Sequence, residues 1–228
     1  MGNRKNISCT SFGESGLLVV FGNGINLEIN QRVHLLAEWV KKANLPGVIE
    51  VIPAYASVLI GFDPFQIEYD ALHRLIMEYE EGQMEPLLYR SEKLIEIPTI
   101  YGGEHGPDLE FVAQYNHLSP DDVIRLHSEA EYRVFMMGFS PGFPYLGGMN
   151  PAIAVPRLSS PRTRVPAGSV GIAGEQTGIY PIDSAGGWRL IGWTPLRLFD
   201  PCAEPPFLLE PGDRLRFIPI LRDQMEND

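Results

Sequence analysis

The segment from residue 138 to residue 187 limits most strongly how this chain can fold. Ten glycines and seven prolines occupy 17 of its 50 positions. Such a density alone suggests low complexity, but the segment also contains Phe139, Phe143, Tyr145, Tyr180 and several β-branched residues. A segment with this much apolar surface is expected to fold, with glycine and proline fixing the shapes of its loops.

Short runs with β-forming composition continue on both sides of this segment. Each is bounded by glycine or proline, and they read YRVFMMGF, SVGIAG, GIYPI, WRLIGW and RLRFIP. Many short strands separated by turn signals predict a closed barrel or a sandwich. Two short helices are predicted before them, one capped by Asp108 and one started by a capping box at Ser119–Asp122 with Pro120 in its first turn.

The first ninety residues show a different pattern. GLLVVF predicts a strand, apolar residues from Ile29 to Val40 recur at helical spacing, and VIEVIPAY and SVLIGF predict two strands before a second helix. The order βαββα fits a small split-βαβ α/β unit. We therefore expect an α+β chain, with an α/β docking domain at residues 1–93 and a barrel or sandwich of short strands at residues 94–228.

Charge and composition exclude several classes of function. The net charge of −11 argues against sequence-independent binding to nucleic acid or to an anionic membrane. No apolar run approaches the eighteen residues of a membrane span, and MGNRKNISCT lacks the apolar core of a signal peptide. Cys9 and Cys202 have no metal or redox spacing. We expect a cytoplasmic protein without a protein-bound metal.

The stretch GFSPGFPYLGGMNP, which begins at Gly138, combines flexible glycines, stiff prolines and aromatic rings. One interpretation is a rigid loop that holds rings at fixed positions around a groove. The alternative is a stiff buried loop without a ligand. The predicted rim residues of the groove are Phe139, Pro141, Phe143, Pro144, Tyr145, Tyr180 and Trp188.

Positive charge is concentrated beside this loop. Between residues 138 and 199, five arginines face only Glu175 and Asp183, a surplus of three positive charges within an acidic chain. All four lysines precede residue 94, so arginine is the cation available for a carboxylate or phosphate. Arg162 and Arg164 share one face of a predicted strand and could grip one anion; the alternative is solvated surface arginines. Gly168, Ser169 and Gln176 complete the predicted anion site, since a glycine-rich backbone can present N–H groups.

One pair of residues has the spacing of a catalytic dyad. His127 and Glu131 lie four residues apart and could act as general base and partner, or as a polar cap on the barrel. They are the predicted catalytic residues. The other histidines are scattered along the chain, so no metal site is predicted.

Three long stretches resemble one known family. HSEAEYRVFMMGFSPGFPYLGG, PRLSSPRTRVPAGSVGIAGEQTGIYPIDSAGGWRLIGWTPLRLFDP and PGDRLRFIP are similar to the KipI/PxpB family, also described as allophanate hydrolase subunit 1. Ala185 departs from the proline that the family pattern leads us to expect. The resemblance implies a small α/β domain followed by a cyclophilin-like β-barrel without prolyl isomerase activity.

The resemblance implies three possible roles. The first is the PxpB-type subunit of ATP-dependent 5-oxoprolinase, which converts 5-oxoproline, ATP and water to glutamate, ADP and phosphate. It acts with a larger KipA/PxpC-type subunit and a LamB/YcsF-type subunit. The second is non-catalytic inhibition of a sporulation histidine kinase, and the third is a carboxyltransferase or allophanate hydrolase subunit in urea or amide metabolism. An arginine-bearing barrel suits the carboxylate substrate and the ATP of the first role, which is our leading hypothesis.

Overall fold

A computed structural model of the chain describes residues 7–24, 26–79 and 94–221. The chain divides into two compact units, Met1–Leu88 and Tyr89–Asp228. The boundary predicted between residues 93 and 94 adjoins residues 80–93, which lie outside the described residues, and it stays a prediction.

The first unit contains a four-stranded antiparallel sheet and two helices in its described part. Its elements are β1 (Ser8–Ser11), β2 (Gly16–Val20), α1 (Leu27–Ala43), β3 (Val48–Pro53), β4 (Ser57–Phe62) and α2 (Tyr69–Met77). The strand order is β1-β2-β4-β3. Because β4 is antiparallel to both neighbours, β2 and β3 run parallel with β4 between them. The split-βαβ arrangement that the pattern predicted is therefore present, with β1 added at one edge.

Helical spacing and strand alternation build the core of this unit. Leu17 and Val19 of β2 point to the same face as Val58 and Ile60 of β4, because alternate strand residues share a face. Buried residues of α1 and α2 join them in one apolar cluster. The side chain of Asn26 caps the start of α1.

The second unit contains nine strands and two α-helices between residues 94 and 221. In chain order they are β5 (Leu94–Tyr101), α3 (Leu109–Tyr115), α4 (Pro120–Ser128), β6 (Tyr132–Met137), β7 (Pro144–Gly147), β8 (Arg162–Val165), β9 (Ser169–Ala173), β10 (Gln176–Ile179), β11 (Ser184–Gly186), β12 (Arg189–Trp193) and β13 (Arg214–Pro219). A short 3-10 turn spans Pro151–Ile153.

Seven of these strands close into a barrel. Their order is β10-β7-β6-β13-β5-β12-β9, and β9 pairs back with β10. Six pairs are antiparallel, and β5 with β13 is the parallel pair. β8 and β11 form a separate two-stranded ribbon. The predicted α+β chain with a closed barrel is confirmed.

The two helices begin as the sequence indicated, but only one is capped as predicted. Ser119 and Asp122 form the reciprocal capping box at the start of α4. Asp108 precedes α3 without a side-chain capping bond. Its carboxylate is engaged elsewhere, in the ion pairs described below, so the capping role predicted for Asp108 is wrong.

Candidate functional site

The loop between β6 and β7 has the rigid shape expected of it. The N–H of Ser140 donates to the Gly138 carbonyl at 2.8 Å, and that of Phe143 donates to the Ser140 carbonyl at 3.1 Å. Phe139 and Gly142 have φ angles of 68° and 82°. Glycine adopts such an angle without a Cβ clash, whereas phenylalanine does so at an energetic cost. This strained backbone holds the Phe139 ring, which is 64% exposed, at the surface.

Beneath Phe139 lies an aromatic cluster rather than an open groove. Phe143 is 1% exposed and stands at its centre, with its ring centroid 5.2 Å from Tyr180 and 5.4 Å from Trp188. The predicted rim position is therefore wrong for four buried residues: Phe143, Pro144, Tyr180 and Trp188. Their rings are large and apolar, and packing against one another removes them from water. Phe139 and Pro141 are exposed, and Tyr145 is half-buried beside the cluster.

Arg157 lies over this cluster. Its guanidinium carbon is 5.9 Å from the centre of the Trp188 ring, within the range of a cation–π contact. Tyr145 also adjoins Trp188, with its ring centroid 5.9 Å from that of Trp188. An exposed cation beside half-exposed aromatic surface can bind an anion that carries an apolar ring. The sequence had placed Arg157 only in the positive surplus, not in a site.

Arg162 and Arg164 do not grip one anion together. Nη2 of Arg162 donates to both carboxylate oxygens of Asp108, at 2.9 and 2.8 Å. Arg164, whose side chain is 77% exposed, pairs instead with Asp183, and its Nε lies 2.9 Å from Oδ2. The prediction of a shared anion is therefore wrong, because each arginine already has its own carboxylate.

Asp108 is the centre of a polar network that sequence reasoning missed. Besides Arg162, its carboxylate accepts a bond from the backbone N–H of Leu190 at 2.7 Å. Nη1 of Arg189 lies 3.7 Å away, and its guanidinium stacks 3.6 Å from the Phe111 ring. The network joins the start of α3 to β8 and β12. The sequence contained one signal of this role. Ser119 is followed three residues later by Asp122, its partner in a capping box, whereas Asp108 is followed at that position by Phe111.

His127 and Glu131 do not form a dyad. His127 is fully buried: Nδ1 lies 2.7 Å from the Tyr101 hydroxyl, and Nε2 lies 2.9 Å from that of Thr177. Burial lowers the pKa of His127 to about 3. Glu131 is exposed and pairs with Arg214 through two 2.6 Å bonds. The predicted base-and-partner pairing is therefore wrong, and a catalytic role for either residue stays a prediction.

The predicted anion-site residues Gly168, Ser169 and Gln176 lie in or next to strands of the barrel. The Gly168 N–H donates to the Tyr180 carbonyl at 2.7 Å, and the buried Ser169 begins β9. Gln176 begins β10 and pairs with Ala173. A Cβ atom on Gly168 would overlap the Thr194 carbonyl, which explains the glycine. Because the Gly168 N–H bonds to the barrel backbone, this arrangement does not fit a phosphate cradle.

Two further observations bound the chemistry of the described residues. In residues 7–24, 26–79 and 94–221, no three histidine, cysteine or acidic side chains come together as metal ligands. Within the same ranges, every helix is too short or too polar to cross a lipid bilayer.

The closed barrel, the buried aromatic cluster and the exposed Arg157 beside it define an α+β barrel protein. The chain belongs to the family described as carboxyltransferase domain, subdomain C and D, which matches residues 7–209. It is 47% identical over 223 residues to the B-subunit of 5-oxoprolinase from Bacillus subtilis (strain 168), covering 91% of this chain and 90% of the relative. The resemblance drawn from the sequence is confirmed.

Two solved structures show how the fold is used in longer chains. TTHA0988 is 41% identical with a TM-score of 0.78, over 90% of this chain and 40% of that chain. This chain thus spans about two fifths of TTHA0988. The urea amidolyase of K. lactis, at 23% identity and a TM-score of 0.83, shows the same fold over 99% of this chain and 16% of that chain.

Proposed function

We propose that this chain is the PxpB-type subunit of an ATP-dependent 5-oxoprolinase and works in the cytoplasm. The observation that carries the proposal is the 47% identity to a 5-oxoprolinase B-subunit over nearly the full length of both chains. The reaction opens the lactam of 5-oxoproline to glutamate while ATP is hydrolysed to ADP and phosphate.

The surface around Arg157 supports a role in binding the substrate. 5-Oxoproline is a carboxylate on a five-membered lactam ring, and an exposed guanidinium beside an aromatic ring offers a partner to each part. The net charge of −11 makes a free arginine here notable, because acidic side chains outnumber basic ones along the chain.

We place ATP with the partner subunits rather than on this barrel. Lysine is absent from residues 94–228. Two further glycines of this segment are needed for packing: Gly171 and Gly178 pair with each other across β9 and β10. A Cβ atom on Gly178 would lie 2.8 Å from the Pro144 carbonyl oxygen. Phosphoryl transfer needs positioned donors around the phosphates, and this barrel fits that need poorly.

The longer relative supports an enzyme assembled from several parts. In TTHA0988 the region similar to this chain accounts for 40% of the polypeptide, so further polypeptide accompanies it. We propose that a larger KipA/PxpC-type subunit and a LamB/YcsF-type subunit complete the site here. This chain then contributes to an amide hydrolase without being one alone.

Reconstitution tests this proposal. The chain and its two partner subunits are purified separately, mixed in every combination, and assayed for glutamate released from 5-oxoproline with ATP. We expect turnover only when all three are present. The matched control omits ATP from the complete mixture.

Two outcomes would contradict the proposal. Full turnover by this chain alone would refute the shared assembly. Full turnover by the two partners without it would show that the chain is dispensable, and the kinase-inhibitor or a structural role would then be favoured.

A further inference from the structure

Arg157 differs from the four other arginines between residues 138 and 199. Those four each have a carboxylate within 4 Å: Arg162 and Arg189 with Asp108, Arg164 with Asp183, and Arg197 with Asp200. Among the described residues, Arg157 has no acidic partner. Its five N–H donors are held beside an aromatic ring and face solvent, where they remain available to a ligand.

The backbone around Arg157 is fixed on both sides. The N–H of Leu158 donates to the Gly187 carbonyl at 2.8 Å, and the N–H of Gly174 donates to the Val155 carbonyl at 2.7 Å. Gly187 directly precedes Trp188, so the arginine and the ring beneath it are tied through the backbone. A cation held in this way loses less conformational freedom on binding than one on a mobile loop.

Two aromatic side chains lie near the guanidinium: Trp188, whose ring centre is 5.9 Å from its carbon, and Tyr145, which adjoins Trp188. Trp188 is packed against Phe143, and its carbonyl accepts a bond from Nη1 of Arg162 at 3.2 Å. Tyr145 stands next to Trp188 and is half-exposed. Burial raises the pKa of Tyr145, and the positive charge of Arg157 acts in the opposite direction. The charge of Arg157 therefore acts on the Tyr145 hydroxyl.

We propose that Arg157 and Tyr145 form a recognition site for a small carboxylate carried on a five- or six-membered ring. The guanidinium fork holds the carboxylate, and the ring of the ligand packs on Tyr145 at the edge of Trp188. The naming of 5-oxoproline as the ligand rests on the proposed function. The class, a ring-bearing carboxylate, rests on the exposed guanidinium and the aromatic rings beside it.

The test is calorimetric titration of 5-oxoproline and of benzoate, each into the full chain and into the complex with both partner subunits. Loss of a charged hydrogen bond predicts that Arg157→Gln weakens binding of both probes roughly 10- to 100-fold. Arg157→Lys is expected to recover binding only in part, because an ammonium lacks the planar fork.

Three controls isolate the carboxylate and the arginine. Arg164→Gln removes the same charge from the same unit at an exposed, paired position, and is expected to leave both dissociation constants unchanged. 2-Pyrrolidone, the lactam ring without the carboxylate, is expected to bind at least tenfold more weakly than 5-oxoproline. Acetate, the carboxylate without a ring, isolates the contribution of Tyr145. In Tyr145→Ala, binding of the ring-bearing probes is expected to weaken, whereas binding of acetate is expected to stay the same.

Several results would overturn the inference. For the variants, these are unchanged binding in Arg157→Gln or an equal loss of binding in Arg164→Gln. For the ligands, they are equal binding of 2-pyrrolidone and 5-oxoproline, or tighter binding of inorganic phosphate than of either carboxylate. The absence of carboxylate binding to both the chain and the complex would also overturn it. The proposed function can fail separately: a wild-type complex that forms no glutamate but binds benzoate through Arg157 refutes the function alone. A complex that forms glutamate with an unchanged KM in Arg157→Gln refutes the site alone.

Discussion

Removing the Asp108 carboxylate is the sharpest test of how the barrel is held together. In Asp108→Ala, Arg162 loses its bidentate acceptor, Arg189 loses its nearest carboxylate, and the Leu190 N–H loses a 2.7 Å bond. All three partners remain in place around an apolar methyl group. The substitution therefore leaves buried donors without acceptors, which is the costly way to break a polar network.

The size of the effect follows from how far water can reach these groups. Breaking a buried ion pair by removing one partner typically costs about 3–5 kcal/mol. The Asp108 side chain is 9% exposed, but that of Arg162 is 29% exposed and can be partly rehydrated. We therefore expect the lower end, about 3 kcal/mol. For a chain of this length that is a fall in Tm of roughly 6–12 °C.

Thermal unfolding followed by circular dichroism measures this change. Asp183→Ala is the matched control, since it removes a carboxylate from an arginine pair at the surface and is expected to leave Tm close to the wild-type value. Arg162→Gln is expected to lower Tm as well, because it removes the hydrogen bonds that Arg162 donates to the Asp108 carboxylate. A Tm for Asp108→Ala within about 2 °C of the wild type, or an equal fall in Asp183→Ala, would refute the reasoning.

Three further predictions concern single substitutions. The unfolded chain binds a proton at His127 near pH 6.5, whereas burial lowers the folded pKa to about 3, so stability is lost as pH falls through this range. Between pH 7 and 5, the free energy of unfolding measured by denaturant titration should therefore fall about 2 kcal/mol less in His127→Gln than in the wild type. An equal fall in both proteins would contradict the lowered pKa of His127. Phe143→Ala should cost about 3–5 kcal/mol, while Phe139→Ala, at the exposed tip of the same loop, should leave Tm nearly unchanged; the reverse order would place the core wrongly. Gly168→Ala should lower Tm and reduce soluble yield, because φ is 83° and the new methyl meets the Thr194 carbonyl; a wild-type Tm would show that the strand can shift.

Local sequence signals predicted the elements whose causes are local. The periodicity from Ile29 to Val40 and the capping box at Ser119 act within a few residues, and both are found where the pattern indicated. Alternating apolar residues and frequent turn residues likewise predicted the strands, because strand faces repeat every two residues. The many short strands predicted a barrel or a sandwich, since both limit exposed strand edges, and the structure shows the closed barrel.

Pairings between distant residues could not be predicted in this way. Arg162 lies 54 residues from Asp108, and His127 lies 50 residues from Thr177. Sequence spacing favoured the neighbours, Arg162 with Arg164 and His127 with Glu131, and the fold gave each of the four a different partner. Periodicity reports which face a residue occupies within its own element, but not which element packs opposite.

The residue types alone specify the composition of the site region: arginine as its cation, aromatic rings as its apolar surface, and stiff loops between them. Packing between distant segments selects which of these groups remain exposed. Burial placed Phe143 and Tyr180 in a core. Four arginines pair with carboxylates, three of them from distant segments of the chain, and Arg157 remains over an aromatic ring. Whether a charged side chain is paired depends on which opposite charges lie within about 4 Å of it. When the two residues are far apart in sequence, only folding brings them to that distance.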